Sequence, residues 1–366
     1  MDFDSLKSRF ICWGYKRVVR PICFCFDAEK IHRLFIRIGS ILGSNSLTKN
    51  ITRFLFDYQN SLLEQKIFGI KFRNPVGLAA GFDKEASMIS IMEDVGFGFV
   101  EVGSLTRMEC AGNTGQRMKR LIDKRSLWIY LGLNNRGSDA AFLDLRNRKF
   151  KVPYGVSVAK TNCKETVDNE IAIEDYIYTL KKFSKLAQYF TLNISCPNAY
   201  GGQPFSSPLL FEKLMKEVVK LKLTQPVFVK ISPDLTRENL DKVLEISRKY
   251  NVQGFICTNL TKKNTSFDNG GCSGKMLEKY SDEIVKYVYL KTRNWKRKVI
   301  VIGVGGIFSA EDAYRKIRLG ASLVQLITGM IFEGPALIGD INRGLERLMI
   351  RDGFKKIEEI IGIDAK

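Results

Sequence analysis

From residue 74 onward the chain alternates short apolar, often β-branched runs with longer segments of helical periodicity. The short runs read NPVGLAAG (74–81), FGFVEVGS (97–104), PYGVSVAK (153–160), YFTLNISC (189–196), PVFVKISP (226–233), VQGFICTN (252–259), VIVIGVGG (299–306) and LVQLITG (323–329). Each ends in small or polar residues and leads into a segment such as LLFEKLMKEVVKLK, after the fourth run, or ENLDKVLEISRKY, after the fifth. Near-continuous apolar runs suit parallel strands buried on both faces. Eight such runs predict an α/β chain folded as a (β/α)8 TIM barrel. A doubly wound open sheet is the alternative, but LAAGFDKE has the wrong spacing for the GxGxxG turn that usually follows its first strand.

Ahead of the barrel, DAEKIHRLFIRIG places Ile31, Leu34, Phe35 and Ile38 at i, i+3, i+4 and i+7, opposite Lys30, Arg33 and Arg37, with Gly39 as a stop. The preceding RFICWGYKRVVRPICFCF adds aromatic and basic residues suited to a lipid interface. The expected organisation is a small N-terminal α-helical, membrane-associating cap over 1–45, a connecting segment over 46–73, the barrel over 74–350 and a tail over 351–366. No run of apolar residues is long enough to span a bilayer. Lys7, Arg9, Lys16, Arg17 and Arg20 interrupt what would be the apolar core of a signal peptide.

Composition adds a basic surface. The 58 Lys and Arg exceed the 39 Asp and Glu to give a net charge of +19, which favours anionic lipid, nucleic acid or anionic small molecules; a lysine-rich background composition explains it equally well. No aromatic and glycine signature of an RNA-binding module is visible. With 45% hydrophobic residues in 366 the chain can bury a large core. The 8 cysteines include no CxxC pair and there is 1 histidine, so neither a zinc site nor a disulfide framework is indicated and a reducing compartment is expected.

In a barrel of this kind the carboxyl ends of the strands form the active face. There the sequence puts Gly81 and Lys84, Ser104, Ser157 and Lys160, Asn193 and Cys196, Lys230, and Thr258 with Asn259. The last two runs, GVGGIFSAEDAYRKIRLGAS and LVQLITGMIFEGP, bring Gly305, Gly306, Ser309, Thr328 and Gly329 into the pattern of a phosphate cup. A glycine-rich turn used only for its geometry is the other reading. Cys196, in TLNISCPNAYGG, is likewise open to two readings, since an isolated cysteine commonly just packs.

Taken in order, NPVGLAAGFDK, GFGFVEVGS, NNRG, NISCPN, VKISPDL, GGCSG, VIGVGGI, GASLVQL and RDGFKKIEEIIG resemble the dihydroorotate dehydrogenases, and specifically their membrane-associated, quinone-reducing class. The resemblance implies FMN-dependent oxidation of dihydroorotate to orotate in pyrimidine synthesis, with a membrane quinone as acceptor and no obligatory protein partner. It places FMN on Ala80, Gly81, Phe82, Asp83, Lys84, Ser104, Ser157, Asn193, Lys230, Thr258, Gly274, Gly306, Ile327, Thr328 and Gly329. The pyrimidine would be held by Lys84, Asn193, Asn198 and Asn259, with Cys196 as the base. The quinone class resembled has serine at that position and the soluble class cysteine. A thiol, ordinarily near pKa ~8.5, needs less perturbation than a hydroxyl to act as base. The cap would form the quinone tunnel, where His32 matches a lining residue; a half-exposed helix histidine is the plainer reading. Peripheral attachment to a bacterial or a mitochondrial inner membrane follows from the same likeness.

Two positions depart from the family's pattern. Ile129 stands where an orotate-binding asparagine is expected, and Leu260 where a threonine follows the strand-six asparagine. Neighbouring Asn134 and Asn135 could supply the missing amide. The departures keep open an FMN oxidoreductase acting on a different, less polar cyclic amide, or a flavin-binding homologue with impaired catalysis.

Overall fold

The computed structural model describes residues 3–366; the first two residues of the expected cap lie outside the described residues. Eight parallel strands close into a barrel in sequence order. They are β1 Val76–Leu78, β2 Phe99–Leu105, β3 Tyr154–Val158, β4 Tyr189–Asn193, β5 Val227–Ile231, β6 Gly254–Cys257, β7 Ile300–Val304 and β8 Leu323–Leu326. The ring is shut by β8 against β1, with Val324 opposite Val76 and Leu326 opposite Leu78. Every apolar run therefore became a strand, but each strand is shorter than its run. Lys160, Cys196, Thr258 and Asn259, expected on strands, lie instead in the loops after β3, β4 and β6. For Cys196 the cause is local, because Pro197 lacks the N–H a ladder needs and restricts the residue before it.

The barrel interior is layered. At the amino end Phe99, Tyr189 and Phe228 are buried, and the hairpin Gln65–Ile67 and Ile70–Phe72 covers them. Phe72 meets Phe99 edge to face at 5.3 Å between centroids. Glycines on neighbouring strands make room for the rings: a Cβ at Gly77 would sit 2.4 Å from Phe99 Cζ, and one at Gly155 2.0 Å from Tyr189 Cε2. Above the aromatic layer Glu101 is wholly buried. Its Oε2 accepts from Thr191 Oγ1 at 3.2 Å and from Gln325 Nε2 at 3.0 Å. The next layer up is the rim.

Two additions flank the rim. Met118–Leu121, Ser126–Ile129 and Gly271–Gly274 form an antiparallel sheet of three strands, too short for the hydrophobic pattern to reveal. The cap begins with a continuous helical stretch, Phe3–Gly14, a π turn Tyr15–Val19 and Arg20–Phe24, followed by helices Ala28–Leu42 and Ser46–Phe56. Asp27 caps the second helix by accepting from Lys30 N at 2.9 Å. Gly39, expected to end that helix, lies inside it. A Cβ there would fall 2.0 Å from Met88 Cε, so the glycine serves close approach to the barrel, and the helix ends at Gly43. Ser8 Oγ donates to Asp340 Oδ1 at 2.6 Å, and Arg53 pairs with the fully buried Asp94 at 2.5 Å. Among the described residues no helix is long and apolar enough to cross a membrane.

Gly155→Ala should therefore destabilise the barrel by about 1–3 kcal/mol, the usual cost of overpacking a rigid core, because Tyr189 is walled in by its neighbours. Urea unfolding of the variant beside the wild type checks this. Equal midpoints would show that the ring has room to move.

Candidate active site

A cavity of about 1140 Å³, counting its open mouth, lies at the carboxyl rim. Of the expected cofactor residues, Ala80, Gly81, Phe82, Lys84, Ser104, Asn193, Lys230, Thr258, Gly274, Gly306, Ile327, Thr328 and Gly329 line it, as do Cys196, Asn198 and Asn259. Asp83 and Ser157 do not. Asp83 is buried beneath the loop and accepts from Ser87 N at 2.8 Å and Met88 N at 2.7 Å; burial pushes its carboxyl up to about 6 although those amides pull it down. Ser157 acts from behind, its Oγ 2.8 Å from Ser104 Oγ.

The floor is held by one amide. Asn193, at the end of β4, donates through Nδ2 to Ser104 Oγ at 2.7 Å and accepts through Oδ1 from Asn259 Nδ2 at 3.1 Å. Asn259 also donates to Ser195 Oγ at 3.1 Å and accepts from Leu260 N at 2.9 Å. These two amides are thus engaged with the protein. Asn198 is different: its Nδ2 reaches Ile129 O at 3.3 Å, and its buried Oδ1 has no partner. A buried acceptor of this kind is costly unless a ligand supplies the donor.

On one side the wall turns at glycines. Gly274 and Gly306 have φ of +82° and +74°, which a side chain rarely adopts. A Cβ at Gly329 would lie 2.0 Å from Ile307 O, whereas at Gly81 it would meet nothing nearer than Ile327 Cδ1 at 3.9 Å. The cradle, the unpartnered Asn198 oxygen and the buried Lys230 fit a flat polar ligand with an anionic tail. Sequence reasoning missed the share of the small antiparallel sheet in this wall. Met118, Leu127, Leu131 and Ser273 come from it or its edges, and Ser273 Oγ lies 2.7 Å from Thr328 Oγ1. Ile129 and Leu260 also face the cavity, so the wall is apolar where the two departures occur.

The charged groups are all perturbed. Burial, more than any neighbour, brings Lys84 down to about 8, and its Nζ donates to Asn134 Oδ1. Asn135 turns away to Thr106 Oγ1 at 2.8 Å. Burial pushes the Cys196 thiol up, against the Asn198 amide and the charges of Lys84, Lys230 and Lys160. Lys230 is pulled down by burial and held up by Glu101.

A second cavity of about 840 Å³ lies between the cap and the barrel. Ile31 and Phe35 line it, while Leu34 and Ile38, from the same apolar face, are exposed. That face thus serves two surroundings. His32, Phe82, Met118, Leu127 and Ile331 line both cavities. His32 packs edge to face on Phe82 at 4.9 Å, and burial followed by the Lys84 charge pushes its pKa down to about 4.

Fold and site together define a (β/α)8 barrel enzyme with a ligand cavity at its carboxyl rim and a helical cap over a second chamber. The profile of the dihydroorotate dehydrogenase family matches residues 62–349. Among curated relatives, the dihydroorotate dehydrogenase (quinone) of Christiangramia forsetii is 39% identical over 90% of this chain and 98% of its own length. That of Natronomonas pharaonis is 36% identical over 96% and 99%. Among solved structures, the Eimeria tenella dihydroorotate dehydrogenase in complex with ferulenol superposes with a TM-score of 0.82 at 26% identity, covering 92% of this chain and 96% of that one. The chain belongs to the dihydroorotate dehydrogenase family.

The wall residue His32 gives a pH prediction. Its pKa is 6.5 ordinarily and about 4 in the fold, so between those values the unfolded chain binds the proton and the native state does not. Its contribution is whole above pH 6.5 and lost as pH falls toward 4, by about 3 kcal/mol in all. His32→Phe keeps the ring contact and should remove this component, so the stability gap between variant and wild type should shift in the variant's favour on acidification. Urea unfolding at neutral and at acid pH measures it; a pH-independent gap would mean that His32 is solvated.

Proposed function

We propose that this chain oxidises dihydroorotate to orotate on an FMN held in the rim cavity, and passes the electrons to a membrane quinone admitted through the cap chamber. The observation that carries this reading is the pair of chambers with a common wall, one glycine-cradled with lysines and amides on its floor, the other apolar and roofed by the cap. Bound FMN would supply the hydride acceptor. Gly81, Gly274, Gly306, Thr328 and Gly329 would hold it, with Lys230 offering positive charge from below. Lys84 and Asn198 would orient the pyrimidine, while Asn193 and Asn259 keep the floor rigid. Cys196 would take the proton from the carbon next to the carbonyl. Asn134, whose Oδ1 accepts from Lys84 Nζ, would serve in place of the amide absent at Ile129.

The cap supports peripheral attachment. Phe10, Trp13, Ile22, Phe26, Leu34, Ile41, Leu47 and Phe54 are exposed apolar side chains, with Phe10 at 73% and Ile41 at 68%. Arg33 and Arg37 are exposed among them. Apolar and basic residues mixed in this way suit an anionic lipid interface. The expected division into cap and barrel goes with this reading, the attachment unit running past residue 45 through helix Ser46–Phe56 and the barrel being the redox unit.

Anaerobic addition of dihydroorotate to the FMN-loaded protein should bleach the flavin, and Cys196→Ala should slow the bleaching by at least about a hundredfold while FMN stays bound. Flavin that remains oxidised in the wild type would shift the substrate toward a less polar ring, in keeping with Ile129 and Leu260. Wild-type rates in the alanine variant would return Cys196 to packing.

A full-length variant carrying Phe10→Glu, Ile22→Glu and Ile41→Glu should bind anionic vesicles at least about tenfold more weakly and bleach normally with dihydroorotate. Co-sedimentation with vesicles reads the first effect and stopped-flow absorbance the second. Unchanged sedimentation would remove this surface from the membrane.

A further inference from the structure

Of the buried lysines that the reaction proposed above leaves unused, Lys316 pairs with Asp282, whereas Lys160 has no carboxylate on its ammonium. Lys160, in the loop after β3, is 3% exposed. Its Nζ donates to Thr166 O at 3.0 Å, Thr166 Oγ1 at 3.3 Å and Tyr200 O at 2.7 Å. All three acceptors are neutral. The nearest buried acid, Asp175, is occupied, its Oδ2 accepting from Thr161 N at 2.7 Å. Burying an ammonium without a paired carboxylate costs several kcal/mol, and such a charge usually answers to something else nearby.

Its neighbour is Cys196. Both line a narrow space under the loop after β4, together with Tyr176 and Asn193. Three lysines favour the thiolate, Lys84 from the β1 loop most, then Lys230 from β5, and Lys160 least. Lys84 is offset by Glu29 and Glu85, and Lys230 by Glu101. Burial pulls the Lys160 ammonium down, against Cys163, Asp175, Cys196 and Cys110, which hold it up. Tyr176, on the far side, is committed to Asn193 O at 2.8 Å. The loop itself is anchored where Lys160 grips it: Asn162 Oδ1 accepts from Tyr200 N at 2.5 Å, and Asn113 Nδ2 donates to Asn198 O at 3.1 Å.

We propose that Lys160 is a positioning residue for Cys196: its charge, fixed behind the loop by Thr166 and Tyr200, stabilises the thiolate that Cys196 becomes once its own proton has passed to solvent, the form able to take a proton from substrate. The catalytic consequence rests on reading Cys196 as the base; the effect on the thiol does not. A structural latch would need only a hydrogen-bond donor at this position, whereas this role needs the charge.

Alkylation of Cys196 by iodoacetamide, followed by mass spectrometry as a function of pH, separates the two. In Lys160→Gln, which keeps a donor, and in Lys160→Met, which does not, the midpoint should move alkaline by about one unit, or tenfold less thiolate at a given pH. Lys160→Arg should stay near the wild type. A Gln variant that titrates like the wild type, or an unmoved or acid-shifted midpoint in both neutral variants, would overturn the proposal. Should the neutral variants fail to fold, wild-type protein labelled with ζ-15N-lysine decides it: an ammonium signal for Lys160 at neutral pH is required, and a neutral amine sinks the idea. Normal bleaching in Cys196→Ala would remove the base assignment and leave the alkylation result standing.

Discussion

The hydrogen bonds around the Asn193 carboxamide tie β2, β4 and the β6 loop into one floor, and the geometry of the site hangs on them. A carboxamide has two donors and one oxygen, and here both ends work inward, Nδ2 to Ser104 and Oδ1 to Asn259 and Ser195. Strands that meet only at the rim of a closed ring would otherwise be free to splay at their carboxyl ends, where ladder bonds run out. The β4–β5 register sets Asn193 beside Lys230, so fixing the amide also fixes the cation. Beneath them Glu101 repeats the arrangement, one carboxylate oxygen collecting Thr191 and Gln325 from opposite sides of the barrel. Both nodes are buried in a region of low dielectric, where the hydrogen bonds they make are stronger than at a surface, although Glu101 Oε1 and Gln325 Oε1 have no partner.

The cap meets the barrel by different physics. Its joints are polar contacts around the edges, among them Ser8 and Cys12 to Asp340, Arg53 to Asp94 and Glu29 to Arg117, around a chamber whose lining is mostly apolar. Such an interface holds position without filling its centre. At Gly39 the helix backbone comes close against the Met88 side chain, which accounts for a glycine in the middle of a helix that would be more stable with alanine.

Much of this was legible in the sequence because each barrel strand is apolar on both faces and announces itself in a single run. The rim was legible for the same reason: a strand's last residues point to one place whatever the intervening helices do. What escaped was set by contacts between distant residues. Gly39 reads as a stop by local propensity, and only Met88 explains why the helix continues. Met118, Leu127 and Ser273 belong to strands of four residues, too short to show a period. Asp83 and Ser157 sit within the right motifs yet face away from the cavity, since sequence spacing identifies a loop and not the side of it that looks inward. Ile31 and Leu34 share one helical face in the sequence, but the barrel's curved surface divides that face between a chamber and the exterior.

The rim cavity and the cap chamber share a wall of the side chains of His32, Phe82, Met118, Leu127 and Ile331, with the His32 and Phe82 rings set edge to face in it. A wall of this kind is common property. Any change that enlarges one chamber thins the boundary of the other, so the two cannot drift independently in evolution, and substitutions on opposite sides of the wall will combine non-additively. A sequence adapting to a bulkier guest on the cap side has to answer for it at the rim.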